Sequence, residues 1–203
     1  PYSLPFNVIV ISVLYVLMFR VRNFRWIQPA VVQTYSPENN LYGHHNDVFR
    51  FGKFVLPVSI PVTGPWKITQ GHDGKETHRD EYRHAWDFQL ADERDSVFRN
   101  TGIALKDYYC FEQPVYAPAD GIIEETVNDI PDNPVGEINQ THNWGNTVVI
   151  RHTPYLFSKL SHLKDQSILV KIGDSIRKGD IIGQVGNSGR SPFPHLHFQL
   201  QST

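Results

Sequence analysis

Turn punctuation constrains this chain more than any other feature. From Pro65 onward, apolar and β-branched runs last only a few residues before a cluster of Gly, Asp, Asn or Pro interrupts them, as in Pro118-Ala119-Asp120-Gly121, Asn143-Trp144-Gly145-Asn146, Ile172-Gly173-Asp174 and Lys178-Gly179-Asp180. These residues supply the φ values and local hydrogen bonds of tight reversals, so the runs between them read as short strands. The spacing predicts strands at 66–69, 85–90, 115–117, 121–127, 147–152, 156–163, 167–171 and 180–185, with a last one in Pro194-His195-Leu196-His197-Phe198-Gln199-Leu200. No long segment carries a 3.6-residue apolar period. The expected fold class is therefore all-β, an antiparallel sandwich or barrel-sandwich-hybrid-like core. Residues 92–112 and 128–141 read as long loops, which in a compact β domain border a binding cleft.

The N-terminal part has a different texture. Residues 4–19 contain no charge, and residues 1–19 are long enough, at about 28 Å as a helix, to cross a bilayer core. Arg20, Arg22, Arg25 and Trp26 follow in a basic and aromatic interface pattern. A short transmembrane helix is the expectation for 1–19, against a buried β-rich segment or a signal-peptide core. The signal peptide is disfavoured because there is no basic leading region and no small-residue cleavage site. Residues 20–62 read as a linker with irregular β structure, and 63–203 as the main domain. The start at Pro1 and the stop six residues after His197 suggest a piece of a longer polypeptide.

Composition narrows the function classes. Among 203 residues, 19 Lys and Arg face 21 Asp and Glu, a net charge of −2, so nucleic acid is not an expected partner. The single cysteine, Cys110, rules out an intrachain disulfide or a Cys-rich zinc knuckle and reads as an inert core thiol. Ten histidines is a high count. His195 and His197, two apart on one strand, point to the same face and can share a metal or divide metal binding and proton handling between them. Asp87 lies between Trp86 and Phe88, where an uncompensated carboxylate is costly, so it is expected to be paired or metal-bound. With Asp87, one upstream histidine and one histidine of the HxH pair, the chain has the three nitrogen and oxygen ligands of a catalytic zinc site with an open position.

In chain order, the motifs PVYAPADGII, NWGNTVVIRH, Ser161-His162-Leu163, VKIGDSIRKGDIIGQVGNSGRS and PHLHFQL resemble the lysostaphin-type zinc metallopeptidases, bacterial enzymes that cut peptide bonds in peptidoglycan. The resemblance runs from about Trp66 to the end. It implies one Zn2+ per chain held by Asp87, His197 and a further histidine, with His162 and His195 as non-ligand catalytic histidines. The further ligand usually lies four residues before the aspartate, but position 83 is Arg here. Thr77-His78 fits a variant of the family, so His78 is favoured over His84 and His72. His84 lies three residues from Asp87, on the opposite face of a strand.

The resemblance further implies peptidoglycan peptides as substrate and an extracytoplasmic catalytic domain, anchored in the membrane of a bacterium by residues 1–19. The positive-inside rule, applied to the three arginines, points the other way. The alternative function is a catalytically silent relative that binds or regulates another cell-wall hydrolase. A lipoyl-like carrier is a further reading of Val170–Gly183, but no modified lysine in a recognisable setting accompanies it. His142 and His152 match no ligand position, and His44 and His45 read as exposed loop residues. Nothing in the sequence indicates the oligomeric state.

Overall fold

Among the residues that the computed structural model describes, 57–74, 77–79 and 83–201, the turn-bounded runs become nine strands. These are β1 (Trp66–Gln70), β2 (Ala85–Leu90), β3 (Pro114–Tyr116), β4 (Gly121–Val127), β5 (Asn146–Thr153), β6 (Leu156–Leu163), β7 (Ser175–Ile176), β8 (Ile181–Gln184) and β9 (Leu196–Gln201). The transmembrane helix expected at 1–19, most of the linker, His44 and His45 lie outside the described residues. Among the described residues, no helix is long and apolar enough to cross a membrane.

Seven strands form one antiparallel sheet in the order β1-β2-β9-β6-β5-β4-β7, and β3 pairs with β8 in a small second sheet. The protein is thus nearly all-β and antiparallel, as the turn spacing predicts. Strand period decides which face is which. Leu196 and Phe198 of β9 join Leu160, Val148, Ile150 and Ile123 in one core with Val115 of β3 and Ile182 of β8. Each fully buried aliphatic side chain there contributes about 1.5–3 kcal/mol. The alternate residues of β9, His197, Gln199 and Gln201, are consequently directed to the opposite face of the large sheet, although all three are almost completely buried.

One expected strand is absent. Residues 167–171 are irregular because their backbone donors go elsewhere: Ser167 N to Lys164 O, Ile168 N to Asn128 Oδ1, and only Leu169 N to a strand carbonyl, that of Ile182. The short β7, which falls in an expected turn region, takes the edge position beside Gly121 and Ile122 of β4 instead.

Both long loops are organised around the segment that leads into β9. In the first, Asp107 accepts hydrogen bonds from Asn100 Nδ2 and Ala104 N, and a bridge joins Phe98 to Tyr108. Tyr108 stacks on Phe193. In the second, Asn133 Nδ2 donates to Gly189 O and Ser191 O, Gly136 N to Pro192 O, and Asn139 N to Gly189 O. The 186–194 segment is therefore clamped from two sides.

Cys110 belongs to this clamp. Its Sγ lies 3.1 Å from Pro194 O in a fully buried position, and burial pushes its thiol up to about 12. A buried thiol with so little thiolate is inert. Native protein is expected to leave a thiol-specific disulfide reagent unreacted at pH 8, and denatured protein to consume one equivalent; prompt reaction of the native form would contradict this burial.

Candidate metal centre

Strand register assembles most of the site. Asp87 of β2 is the cross-strand partner of His197 of β9, and His197 is in turn the partner of Ser161 of β6. His78 reaches them from the segment between β1 and β2. That segment is tied down by a hydrogen bond from Thr77 Oγ1 to Gln70 Oε1 at the end of β1 and another from Gly74 N to His78 O. His78 Nε2 lies 3.4 Å from Asp87 Oδ1, and His197 Nδ1 lies 2.9 Å from the same oxygen. Among the described residues, His78, Asp87 and His197 form the one group of His, Cys, Asp or Glu that could hold a metal ion, with ligand atoms within 4.8 Å of one another and all three residues buried.

Two histidines sit beside this group without joining it. His195 precedes β9 with its Nε2 3.8 Å from Asp87 Oδ1, and its ring is 4.8 Å from that of His162. The His162 ring is 5.9 Å from that of His197. Plain strand alternation would send His162 to the face opposite Ser161. Its backbone is left-handed instead, at φ 62°, where the β5–β6 register shifts, and this breaks the alternation. His78 is also left-handed, at φ 56°. Such conformations cost a non-glycine residue about 1–2 kcal/mol and persist only when the surroundings enforce them. For His162 they do: its N donates to Trp144 O, and its O accepts from Gly186 N.

Hydrogen bonds at the far side of each ring determine which nitrogen faces the site. Carbonyl oxygens only accept, so His78 Nδ1 donates to Gly71 O at 3.3 Å, His162 Nδ1 to Ser188 O at 2.8 Å, and His195 Nδ1 to Phe193 O at 2.8 Å. His197 uses the other nitrogen: Nε2 donates to Gln199 Oε1 at 3.2 Å. The inward atoms are then His78 Nε2, His197 Nδ1 and Asp87 Oδ1, all electron-pair donors pointing at one another in a buried space. A cation reconciles that arrangement, and a two-imidazole, one-carboxylate set with ring nitrogens held from behind suits zinc. The residues present therefore fit the metal that the sequence motifs imply.

Electrostatics agree with this division. Burial disfavours the charged form of Asp87, but the close His197 and His78 rings outweigh it and hold the carboxyl well below the usual carboxylate range. Burial first, then the neighbouring His195 and His197, push His162 well below the usual histidine value. Burial also lowers His195, partly offset by Asp87. Lys159, 5% exposed, packs its ammonium 4.0 Å from the centre of the Trp144 ring, and burial pushes it down to about 8. Trp144 in turn lies 5.2 Å from the His197 ring and forms one wall of the site.

The loops that carry Trp144 and Ser188 meet at two glycines. A Cβ on Gly189 would lie 2.3 Å from Gly145 N, and one on Gly145 would lie 2.4 Å from Ser188 C, so neither position has room for a side chain. Asn187 and Ser191, both fully buried, fix the same turn: Ser191 Oγ donates to Asn187 Oδ1, and Asn187 Nδ2 to Asn133 O. These two residues, Ser188 and Gln199 were not identified as site residues from sequence. For Gln199 a signal existed, since it lies two residues after His197 on the same strand face.

The remaining histidines fall elsewhere. The His84 ring lies tilted against that of His72 at 4.8 Å, and His84 is not part of the metal group. His142 is exposed, and His152 is held by Asp120 O and Ser158 Oγ. Burial, His72 and Arg83 push His84 down to about 4. An unfolded chain takes up that proton near pH 6.5, whereas the folded one does not until about pH 4, so stability falls as the pH drops through this window. Replacing His84 by Gln is expected to flatten the loss of stability between pH 6.5 and 4 in urea titrations; an unchanged slope would mean that His84 titrates as in the unfolded chain.

The profile of peptidase family M23 matches residues 99–203, just over half of the chain. That range contains His162, His195 and His197 but neither His78 nor Asp87. Peptidoglycan DD-endopeptidase ShyA of Vibrio cholerae serotype O1 is 30% identical over 140 residues, covering 69% of this chain and 26% of its own length. Peptidoglycan DD-endopeptidase ShyC of the same organism is 36% identical over 87 residues, covering 43% of this chain and 17% of its own. A solved zinc-containing peptidase from Vibrio cholerae aligns with a TM-score of 0.45 and 25% identity over 70% of this chain and 35% of that one. The chain spans about a quarter or less of the length of these two curated relatives.

Proposed function

Because the chain belongs to peptidase family M23, we propose that it is a zinc-dependent endopeptidase that hydrolyses peptide bonds of bacterial cell-wall peptidoglycan. The observation that carries this reading is the buried convergence of His78 Nε2, Asp87 Oδ1 and His197 Nδ1, with His162 and His195 alongside. These three residues would hold one zinc ion. When bound, zinc supplies a Lewis acid for the scissile carbonyl and brings the ionisation of water into the neutral range.

The chain's own residues do the rest. His162 and His195, each anchored through Nδ1, present Nε2 as a proton acceptor. Their lowered proton affinities keep both rings neutral at pH 7. They orient the attacking water; one of them takes up its proton at Nε2, hydrogen-bonds through it to the developing oxyanion, and delivers that proton to the leaving amine as the C–N bond breaks. Trp144 places an indole ring beside His197 at the edge of this group. No helical HExxH motif is involved. A silent binding module would be expected to lack one or more of these five side chains, and this chain has all of them.

A cell-wall substrate places the catalytic domain outside the cytoplasmic membrane, with residues 1–19 as its anchor, and this location is part of the same reading. The test is digestion of purified peptidoglycan by the zinc-loaded protein. Soluble fragments carrying new amino and carboxyl ends should appear, disappear after chelation and return with zinc. Peptidoglycan that stays intact with zinc-replete protein would favour the binding module.

A further inference from the structure

We propose that Gln199 is a positioning residue of the metal centre: by accepting a hydrogen bond from His197 Nε2, it holds that ring in the tautomer and plane that present Nδ1 beside Asp87 Oδ1. The inference rests on the metalloenzyme reading above. Among the described residues, the other three site histidines are fixed by backbone carbonyls, whereas His197 depends on a side chain, and a side chain can be substituted. A neutral imidazole carries one N–H, and its partners decide which nitrogen bears it. Asp87 Oδ1, 2.9 Å from Nδ1, draws the proton towards the metal-facing nitrogen. Gln199 Oε1, 3.2 Å from Nε2, draws it away. Without that acceptor, His197 satisfies Asp87 by placing its proton where the metal must bind.

The surroundings bear this out. Gln199 is fully buried, and its amide nitrogen donates to Gln201 Oε1 at 3.0 Å, which leaves Oε1 as the end that faces His197. Gln201 is itself 2% exposed, and its Nε2 has no hydrogen-bond partner among the described residues. A buried, unsatisfied amide is destabilising, a cost that an apolar pair at 199 and 201 would avoid. Packing therefore does not account for two buried glutamines in a central strand, whereas a polarised ladder that starts at a metal ligand does. The cross-strand partners of Gln199 are Ala85 in β2 and Lys159 in β6, and neither side chain offers a competing acceptor.

The test compares the full chain with Q199M, which keeps length but removes the acceptor, and Q199E, which keeps an acceptor. Zinc affinity of the metal-free proteins is measured by competition with a chromophoric chelator, and Tm of the metal-free forms is recorded in parallel. Q199M is expected to bind zinc about 10–100-fold more weakly, and Q199E as tightly as the wild type or more tightly. In the cobalt-substituted protein, one shifted imidazole N–H resonance that is slow to exchange in the wild type and Q199E should be lost in Q199M. Equal zinc affinity in Q199M and the wild type, or a Q199E as weak as Q199M, overturns the positioning role while leaving the metalloenzyme reading intact. A wild type that binds no zinc overturns both.

Discussion

Replacing His78 by Ala is expected to remove zinc from the purified protein and abolish peptidoglycan cleavage, while replacing His84 by Ala leaves about one zinc per chain. The contrast follows from position. His78 places Nε2 3.4 Å from Asp87 Oδ1, whereas His84 packs against His72 outside the group. Losing one of three ligands costs more than the roughly 10–100-fold that loss of an outer partner costs. The variant also leaves Asp87 buried with one fewer partner, a further destabilisation. Zinc content after reconstitution, read by elemental analysis alongside Tm, separates the outcomes. Zinc lost only in His84→Ala would move the ligand and require the 71–84 segment to rearrange. Zinc lost in neither would mean that Asp87 and His197 recruit a donor other than these two histidines.

Much of this site could be read in the sequence because β structure is periodic. His197, Gln199 and Gln201 share a face by parity, and Asp87 between Trp86 and Phe88 marks itself as a buried charge in need of a partner. The same parity disfavoured His84 as a ligand. What could not be read was whatever depends on departures from regular geometry. His78 sits in an irregular segment at positive φ, so no period points to it, and only the resemblance to known metallopeptidases favoured it. His162 defeats parity outright, since the left-handed residue at the β5–β6 irregularity turns it away from the face that alternation assigns. The strand expected at 167–171 failed for a related reason: its apolar residues look extended, but its amides are captured by Lys164 O and the side chain of Asn128. No strand period marks the turn of Asn187, Ser188 and Ser191 as the support that holds His162 and contacts His195.

Removing either non-ligand histidine is expected to separate catalysis from metal binding, in contrast to His78→Ala. His162→Asn is the informative substitution, because Asn tolerates the left-handed backbone that this position requires, and the lost activity then reports chemistry rather than misfolding. His195 lies outside β9, so His195→Ala leaves the strand pairing in place, and Tm recorded in parallel separates lost chemistry from lost packing. Each change should lower kcat by about 10²–10⁴-fold, the range of a positioned acid or base, with zinc content unchanged. Both rings face the site through Nε2 and lie 4.8 Å apart, so they act on one proton path. Their effects should not add: the double variant should be about as slow as the slower single variant, as expected for residues that act as a unit. Fully additive losses would assign the two histidines to separate steps. A His162→Asn protein with normal kcat would remove His162 from the chemistry and leave His195 to handle the protons alone.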